Sequence, residues 1–265
     1  MGNLVFDFLN LPEREAKPRK TGLTLLRDYG MGFHAAQDLV SDYGEYIDYM
    51  KMLHFTVLYH ESHKSLEKKV RLYRDHDINV FPGGIVFETA IVKDKTEETL
   101  KKLKDIGFNT LEVSDNIVSY TIDEKLRLVE SAVKHGFKVI AEVGSKYPDK
   151  PLTADDILDD VNKLKDAGIN LFIVERGEIA LYFEETEKGG RDTIGEMIDK
   201  IGLEYLTFEA ESLEEQAWFI KRYGGGVNLG PNIHPNEIAF LEGLRRSFGK
   251  EIGYGWLLEQ QKTKG

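Results

Sequence analysis

The chain of 265 residues contains no cysteine, which excludes disulfides, thiolate metal sites and a cysteine nucleophile. It has no uninterrupted apolar run near the roughly 20 residues that a membrane helix needs, so no membrane partner is expected. Its start, Met1-Gly2-Asn3-Leu4-Val5-Phe6-Asp7, lacks the basic segment and apolar stretch of a secretion signal, and a cytoplasmic location is expected. Basic residues are in deficit, 35 against 46 acidic ones, for a net charge of -11. A nucleic-acid partner, which requires clustered Lys and Arg, is therefore not expected. A small anionic substrate remains open, because a site responds to its local groups rather than to net charge. The seven histidines form no metal-ligand spacing such as H-E-x-x-H. Only His54 follows a strand closely enough to reach a site at its end, and the others read as solvated or core-edge residues. No G-x-G-x-x-G follows the first strand, which argues against a dinucleotide fold.

What is present is a repeated phrase: an amphipathic charged segment, a small-residue turn, then a short apolar run. It reads Lys104-Asp105-Ile106-Gly107-Phe108-Asn109-Thr110-Leu111-Glu112-Val113, and returns as Lys134-His135-Gly136-Phe137-Lys138-Val139-Ile140-Ala141-Glu142-Val143. It recurs at 166–175, 201–209 and 223–229. Glycine just past a helix supplies its left-handed end residue, and each apolar run reads as a strand buried on both faces. Eight strands are predicted, at 23–28, 46–52, 79–81, 110–114, 138–143, 171–175, 205–209 and 227–229. Helical patterns lie between them, for example at 96–106, 122–135 and 154–167. Strict alternation implies parallel strands with right-handed crossovers, and eight units at this length predict a (β/α)8 barrel over 21–250. Residues 1–20 read as an arm outside it, 251–265 as a tail, 181–190 as a long polar loop after strand six, and Arg245-Arg246 as surface.

Barrel enzymes place their sites at the C-terminal strand ends. Those ends carry Asp28, Lys51, Glu88, Glu112 with Asp115, Glu142 with Lys146, Glu175 to Glu178, Glu209 and Asn228. Side chains two apart share a strand face, which groups Glu142, Gly144 and Lys146, pairs Glu112 with Ser114, and sets Arg176 and Glu178 opposite Glu175. Carboxylates gathered at one pole repel unless they are protonated, paired or bridged by a cation. Oxygen donors without His or Cys favour Mg²⁺ over zinc. Leu229-Gly230-Pro231-Asn232-Ile233 reads either as amides at a helix N-terminus suited to phosphate or as a plain turn.

Taken in order, several of these segments resemble the phosphosulfolactate synthase family of the coenzyme M pathway. They are Tyr46-Ile47-Asp48-Tyr49-Met50-Lys51, Phe81-Pro82-Gly83-Gly84-Ile85-Val86-Phe87-Glu88, Glu112-Val113-Ser114-Asp115, Glu142-Val143-Gly144-Ser145-Lys146, Phe208-Glu209-Ala210 and Val227-Asn228-Leu229. The likeness spans residues 18 to 248. It implies a TIM-type barrel that assembles as a homo-oligomer, binds Mg²⁺ and adds sulfite to the double bond of phosphoenolpyruvate. It makes Lys146, Lys51 and Glu142 the catalytic candidates, with Lys146 protonating carbon and Lys51 pairing with an anionic group. Glu112, Glu142, Glu175, Asp115 and Glu209 become the metal-ligand candidates, and Asn228, Gly230, Arg176 and His54 the substrate contacts. The chain departs from the family after Lys51, where Met52-Leu53-His54-Phe55-Thr56-Val57 replaces a Phe-Gly-Trp-Gly-Thr-Ser loop. It departs again at Glu175-Arg176-Gly177-Glu178-Ile179-Ala180, where the family reads Glu-x-Arg-Glu-Ser-Gly, at Ile85 for threonine, and at Asn116 for glycine. Two further readings follow: a related barrel enzyme with a different, less anionic substrate, and a non-catalytic homologue similar to the plant heat-stress-associated proteins.

Overall fold

The structure, a computed structural model, describes residues 5–115 and 117–263, so Asn116 lies outside the described residues. The strands are β1 (Thr24–Asp28), β2 (Tyr49–Met52), β3 (Asn79–Pro82), β4 (Thr110–Val113), β5 (Lys138–Val143), β6 (Phe172–Val174), β7 (Leu206–Phe208) and β8 (Asn228–Ile233). They pair in parallel, in the order β3-β2-β1-β8-β7-β6-β5-β4. At the remaining seam, between β3 and β4, Asn109 bridges the two strands. Its Oδ1 accepts from the Val80 amide at 2.8 Å, its own amide donates to Val80 O at 3.4 Å, and its Nδ2 donates to Asn79 Oδ1 at 2.8 Å. The eight strands thus form a nearly closed barrel with alternating helices, a TIM-type (β/α)8 fold.

Local sequence explains the helices. Capping boxes start three of them, at Thr121 with Glu124, Thr153 with Asp156 and Ser212 with Glu215. Gly107, at φ +106, ends the helix Thr96–Ile106 in the left-handed conformation. Strand residues then alternate between two cores. Leu26, Met50, Val80, Leu111, Ala141, Phe172 and Phe208 face the helices, while Leu23, Leu25, Phe81, Ile140, Leu171 and Ile173 fill the barrel interior with Tyr49 packed on them. The next inward positions after Leu25, Tyr49, Ile140 and Ile173 are Arg27, Lys51, Glu142 and Glu175. The barrel's apolar filling therefore ends in a charged layer.

Three expectations are corrected. Residues 181–190 are not a loop: the helix Arg176–Glu187 runs through most of them, with Ile179 and Tyr182 buried one turn apart. Its acidic outer face hid that apolar stripe. Second, the segment Leu229–Ile233 is neither a turn nor a helix start but the body of β8. There β1 advances from Thr24 to Leu26 while β8 advances from Leu229 to Ile233, a bulge that takes up Pro231, which has no N–H for the ladder. Third, Arg245 is buried at 8% exposure and donates to Gly225 O, Val227 O and Leu23 O. The arm docks beneath the barrel, where Arg14 pairs with Glu242 at 2.8 Å and Arg19 with Asp48 at 3.1 Å. The helix Gly255–Lys262 follows the last barrel helix. No helix among the described residues is long and apolar enough to cross a membrane.

Candidate active site

The acidic half of the charged layer comes from β5, β6 and β7. Glu142, Glu175 and Glu209, exposed by only 6%, 2% and 6%, each bring a carboxylate oxygen within 4.8 Å of the other two. Glu175 caps the helix Arg176–Glu187 by accepting from the Gly177 amide. Glu209 accepts from the Arg176 amide at 3.0 Å and from Asn232 Nδ2. Burial, reinforced by Glu112 and Glu209, raises Glu142 well above the ordinary carboxylate range. Burial and the charges of Glu175 and Glu112 push Glu209 up to about 7, against the opposing pull of Lys51 and the Arg176 amide. Three crowded, desolvated oxygen donors of this kind fit a hard divalent cation such as Mg²⁺.

Beside them, Lys51 on β2 lies 3.0 Å from Glu112 Oε2 and donates to Oε1 at 3.2 Å. The Gly84 amide also donates to that Oε1, at 3.1 Å. A Cβ at Gly84 would fall 1.8 Å from Ser114 Oγ and 2.7 Å from Glu112 Oε1, so only glycine lets this helix start approach. Burial disfavours the Lys51 charge, but Glu112, Glu209 and Glu142 outweigh it and its pKa rises. Lys51 therefore keeps its proton. Lys146 stands at the rim, 42% exposed in its side chain and 3.5 Å from Glu175 Oε1. Its loop is held by Glu178, buried on the same helix as Arg176, which accepts from the Ser145 and Leu152 amides at 3.1 and 3.0 Å. A cleft of about 330 Å³ opens here, lined by Lys146, Tyr147, Glu175, Arg176, Glu209 and Asn232 among others. Larger cavities of about 430 and 580 Å³ lie at the opposite pole, around Arg19, Tyr49 and Lys138, away from the carboxylates.

The structure thus brings together Glu142, Glu175, Glu209, Lys51, Glu112 and Lys146. His54 borders the same group: burial, then the charges of Arg27, Lys51 and Lys146, lower its pKa, so the ring is neutral near pH 7. Arg176 sits at the rim and pairs with Glu215 at 2.6 Å. Strand parity misassigned it, because the helix starts at that residue. Other candidates are drawn elsewhere. Asp115 turns to Lys125 at 2.8 Å, and that ammonium also donates to Glu142 O. Asp28 accepts from Tyr73 and pairs with Lys69 behind β1. Glu88 accepts from the Ile117 and Val118 amides, organising the loop after β4.

Asn228 and Gly230 are corrected as substrate contacts. Because β8 begins rather than ends at Asn228, this residue lies at the N-terminal pole. Its side chain accepts from Leu23 N at 2.8 Å and donates to Leu206 O and Leu203 O at 2.8 and 3.0 Å. Gly230 packs on β1, where a Cβ would meet Leu25 O at 2.2 Å. Asn228→Ala is expected to cost about 2–3 kcal/mol in denaturant unfolding by orphaning these buried groups, with little change in KM for the folded fraction. A large KM change at full stability would return Asn228 to the site. Two residues the sequence pattern did not reveal are Arg27 and Asn232. Arg27 is recoverable from the alternation Leu23, Leu25, Arg27, whereas Asn232 lies beyond the predicted end of strand eight at Leu229.

Residues 12–250 match the family model of (2R)-phospho-3-sulfolactate synthase (ComA). The chain belongs to the phosphosulfolactate synthase family. It is 38% identical to the phosphosulfolactate synthase of Methanothermobacter thermautotrophicus, across 94% of this chain and 97% of that protein. It is 30% identical to that of Bacillus subtilis, across 89% and 94%. Arabidopsis thaliana Protein HEAT-STRESS-ASSOCIATED 32 is 23% identical across 90% and 91%. Among solved structures, the YdjI aldolase of Escherichia coli superimposes with TM-score 0.57 at 14% identity, covering 88% of this chain and 89% of that one, a likeness of barrel fold. All the converging carboxylates and both lysines fall within the stretch matched by the phosphosulfolactate synthase family.

Proposed function

We propose that this member of the family is a lyase that joins sulfite to phosphoenolpyruvate, giving 2-phospho-3-sulfolactate, with Mg²⁺ held by Glu142, Glu175 and Glu209. The observation that supports it most is the convergence of those buried carboxylates beside Lys51 and Lys146 at the catalytic pole of the barrel. When bound, the metal supplies positive charge where the substrate carboxylate becomes electron-rich.

In this reading the sulfur lone pair of sulfite forms a bond to the methylene carbon. The π pair of the double bond moves to the adjacent carbon and spreads into the carboxylate as an aci-anion. A proton from Lys146 then neutralises that carbon, and solvent restores the lysine; no other bond breaks. Lys146 suits a proton that must move, because it is part-exposed at the rim. Lys51 suits a fixed charge, because Glu112 pins it inside the barrel. The test is purified protein with phosphoenolpyruvate, sulfite and Mg²⁺, watching for phosphosulfolactate. Product is expected from the wild type and is expected to fall about 100-fold or more in Lys146→Ala and to vanish with EDTA. A folded, metal-loaded wild type that forms no product refutes the reading.

One observation favours a second reading, a larger and less anionic substrate. The loop after β2 forms the helix His54–Leu58, whose Phe55 stacks on Tyr59 at 4.8 Å, the two residues being 59% and 71% exposed. Metal binding without turnover of phosphoenolpyruvate is the outcome that selects it.

A further inference from the structure

The cations of the charged layer are not equivalent. Lys51 faces Glu112, Lys146 faces Glu175 and Arg176 faces Glu215. For Arg27, no ion pair with a carboxylate occurs among the described residues. It lies on β1 in register with Lys51 of β2, which places the two cationic side chains on neighbouring strands roughly 4.8 Å apart. Its outward neighbour Asp28 is spent on Tyr73 and Lys69, so the charge of Asp28 belongs to the other face of the strand. Arg27 Nη1 donates to Asn232 Oδ1 at 3.2 Å, and Tyr29 lies with its ring centroid 5.0 Å from the guanidinium carbon. Tyr29 in turn donates to Asn232 O at 2.9 Å and stacks on His234. The side chain is thus braced, yet its Nε is buried and has no acceptor among the described residues. The cations on this side of the barrel mouth are Lys51 beside it and, past His54, Lys146, while the nearby carboxylates are engaged by other groups: Glu112 by Lys51, Glu211 by Asn232 and Glu237 by Gln216.

Around the barrel mouth this arc of β1 and β2 is separated by one strand, β8, from the acidic arc of β5 to β7. We propose that Arg27 is a specificity-determining residue whose guanidinium binds the phosphoryl group of an anionic substrate, opposite the carboxylate cluster. The planar fork of a guanidinium matches two phosphoryl oxygens at once, which an ammonium does not. The assignment rests on the function proposed above for its choice of substrate, since a carboxylate held at the acidic arc leaves the phosphoryl end to the cationic one. Asn232 acts as the hinge between the arcs, because its Nδ2 donates to Glu209 while its Oδ1 holds Arg27.

The experiment is calorimetric titration of the Mg²⁺-loaded wild type, R27Q and R27K with phosphoenolpyruvate, inorganic phosphate and sulfite in turn, followed by steady-state kinetics. Phosphoenolpyruvate and phosphate are expected to bind about 10- to 100-fold more weakly to R27Q, with sulfite affinity unchanged. R27K, which keeps the charge and the stem, is expected to recover part of the loss and guards against a glutamine variant that misfolds. Where turnover is measurable, the KM for phosphoenolpyruvate rises while kcat changes little. Equal phosphate and phosphoenolpyruvate affinities across the three proteins overturn the proposal. So does a loss confined to sulfite, or a wild type that binds neither phosphorylated probe. The binding measurement decides without turnover: Arg27-dependent binding of phosphoenolpyruvate by an enzyme that makes no sulfolactate upholds this subsite and refutes the reaction assigned above.

Discussion

Lys51→Met is expected to destabilise the protein by about 3–5 kcal/mol, roughly 10 °C in Tm for a chain of this size, and to abolish turnover. The reason is Glu112. It has 0% exposure, its Oε1 accepts from the Gly84 amide, and the ion-pair partner of its Oε2 is Lys51 at 3.0 Å. Removing the ammonium leaves a carboxylate that must stay ionised without compensation or take up a proton inside the barrel. Replacing both members, as in Lys51→Met with Glu112→Leu, removes the orphaned charge and is expected to restore most of the stability, but none of the activity. Thermal unfolding of the two variants beside the wild type decides the matter. A single variant within about 1 kcal/mol of the wild type would show that Lys51 does not compensate Glu112.

The second large effect concerns the carboxylate cluster. Mg²⁺ at about a hundredfold over its Kd is expected to stabilise the wild type by about 3 kcal/mol, several degrees of Tm. Glu175→Ala is expected to erase that shift and to lower turnover about 1000-fold. The cation-free protein carries a matching pH signature. Burial and neighbouring carboxylates raise Glu209 from its ordinary 4.5 to about 7. The folded state therefore holds this proton more tightly than the unfolded one, and stability falls as pH rises through the window between those values. Glu209→Gln is expected to flatten the decline between about pH 5 and 7 relative to the wild type, and Mg²⁺ to offset it by taking the proton's place. Parallel pH profiles for wild type and Glu209→Gln would mean that the crowding is relieved in some other way.

The barrel was legible because its signals are local. A charged amphipathic segment, a glycine and an apolar run each act within a dozen residues, and the helix Thr96–Ile106 and strand Lys138–Val143 fall where the pattern places them. The acidic helix Arg176–Glu187 was not legible, because its stripe of Ile179 and Tyr182 is narrow and its outer face reads as loop. Strand eight is longer than its local signals allow, because Gly230 and Pro231 signal a turn, whereas pairing with β1 absorbs them in a bulge. That one difference exchanges Asn232 for Asn228 and moves the amide from one pole to the other.

Except at strand eight, the sequence by itself determined which residue types stand at the strand ends, because the period of two and the helix breaks are written in the chain. Only the tertiary structure decided which of them meet. Glu142, Glu175 and Glu209 converge and Asp115 does not, because ring closure brings β5, β6 and β7 side by side while Lys125 draws Asp115 aside. Nor does parity along a strand predict Lys146 or Arg176, since Gly144 at φ +97 and the helix start at Arg176 each turn the chain away from the strand axis. Charge pairing is a through-space property of neighbours that lie tens of residues apart. It was the barrel, bringing Lys51 to Glu112 and pairing Arg27 with no carboxylate among the described residues, that set which charges are spent on the fold.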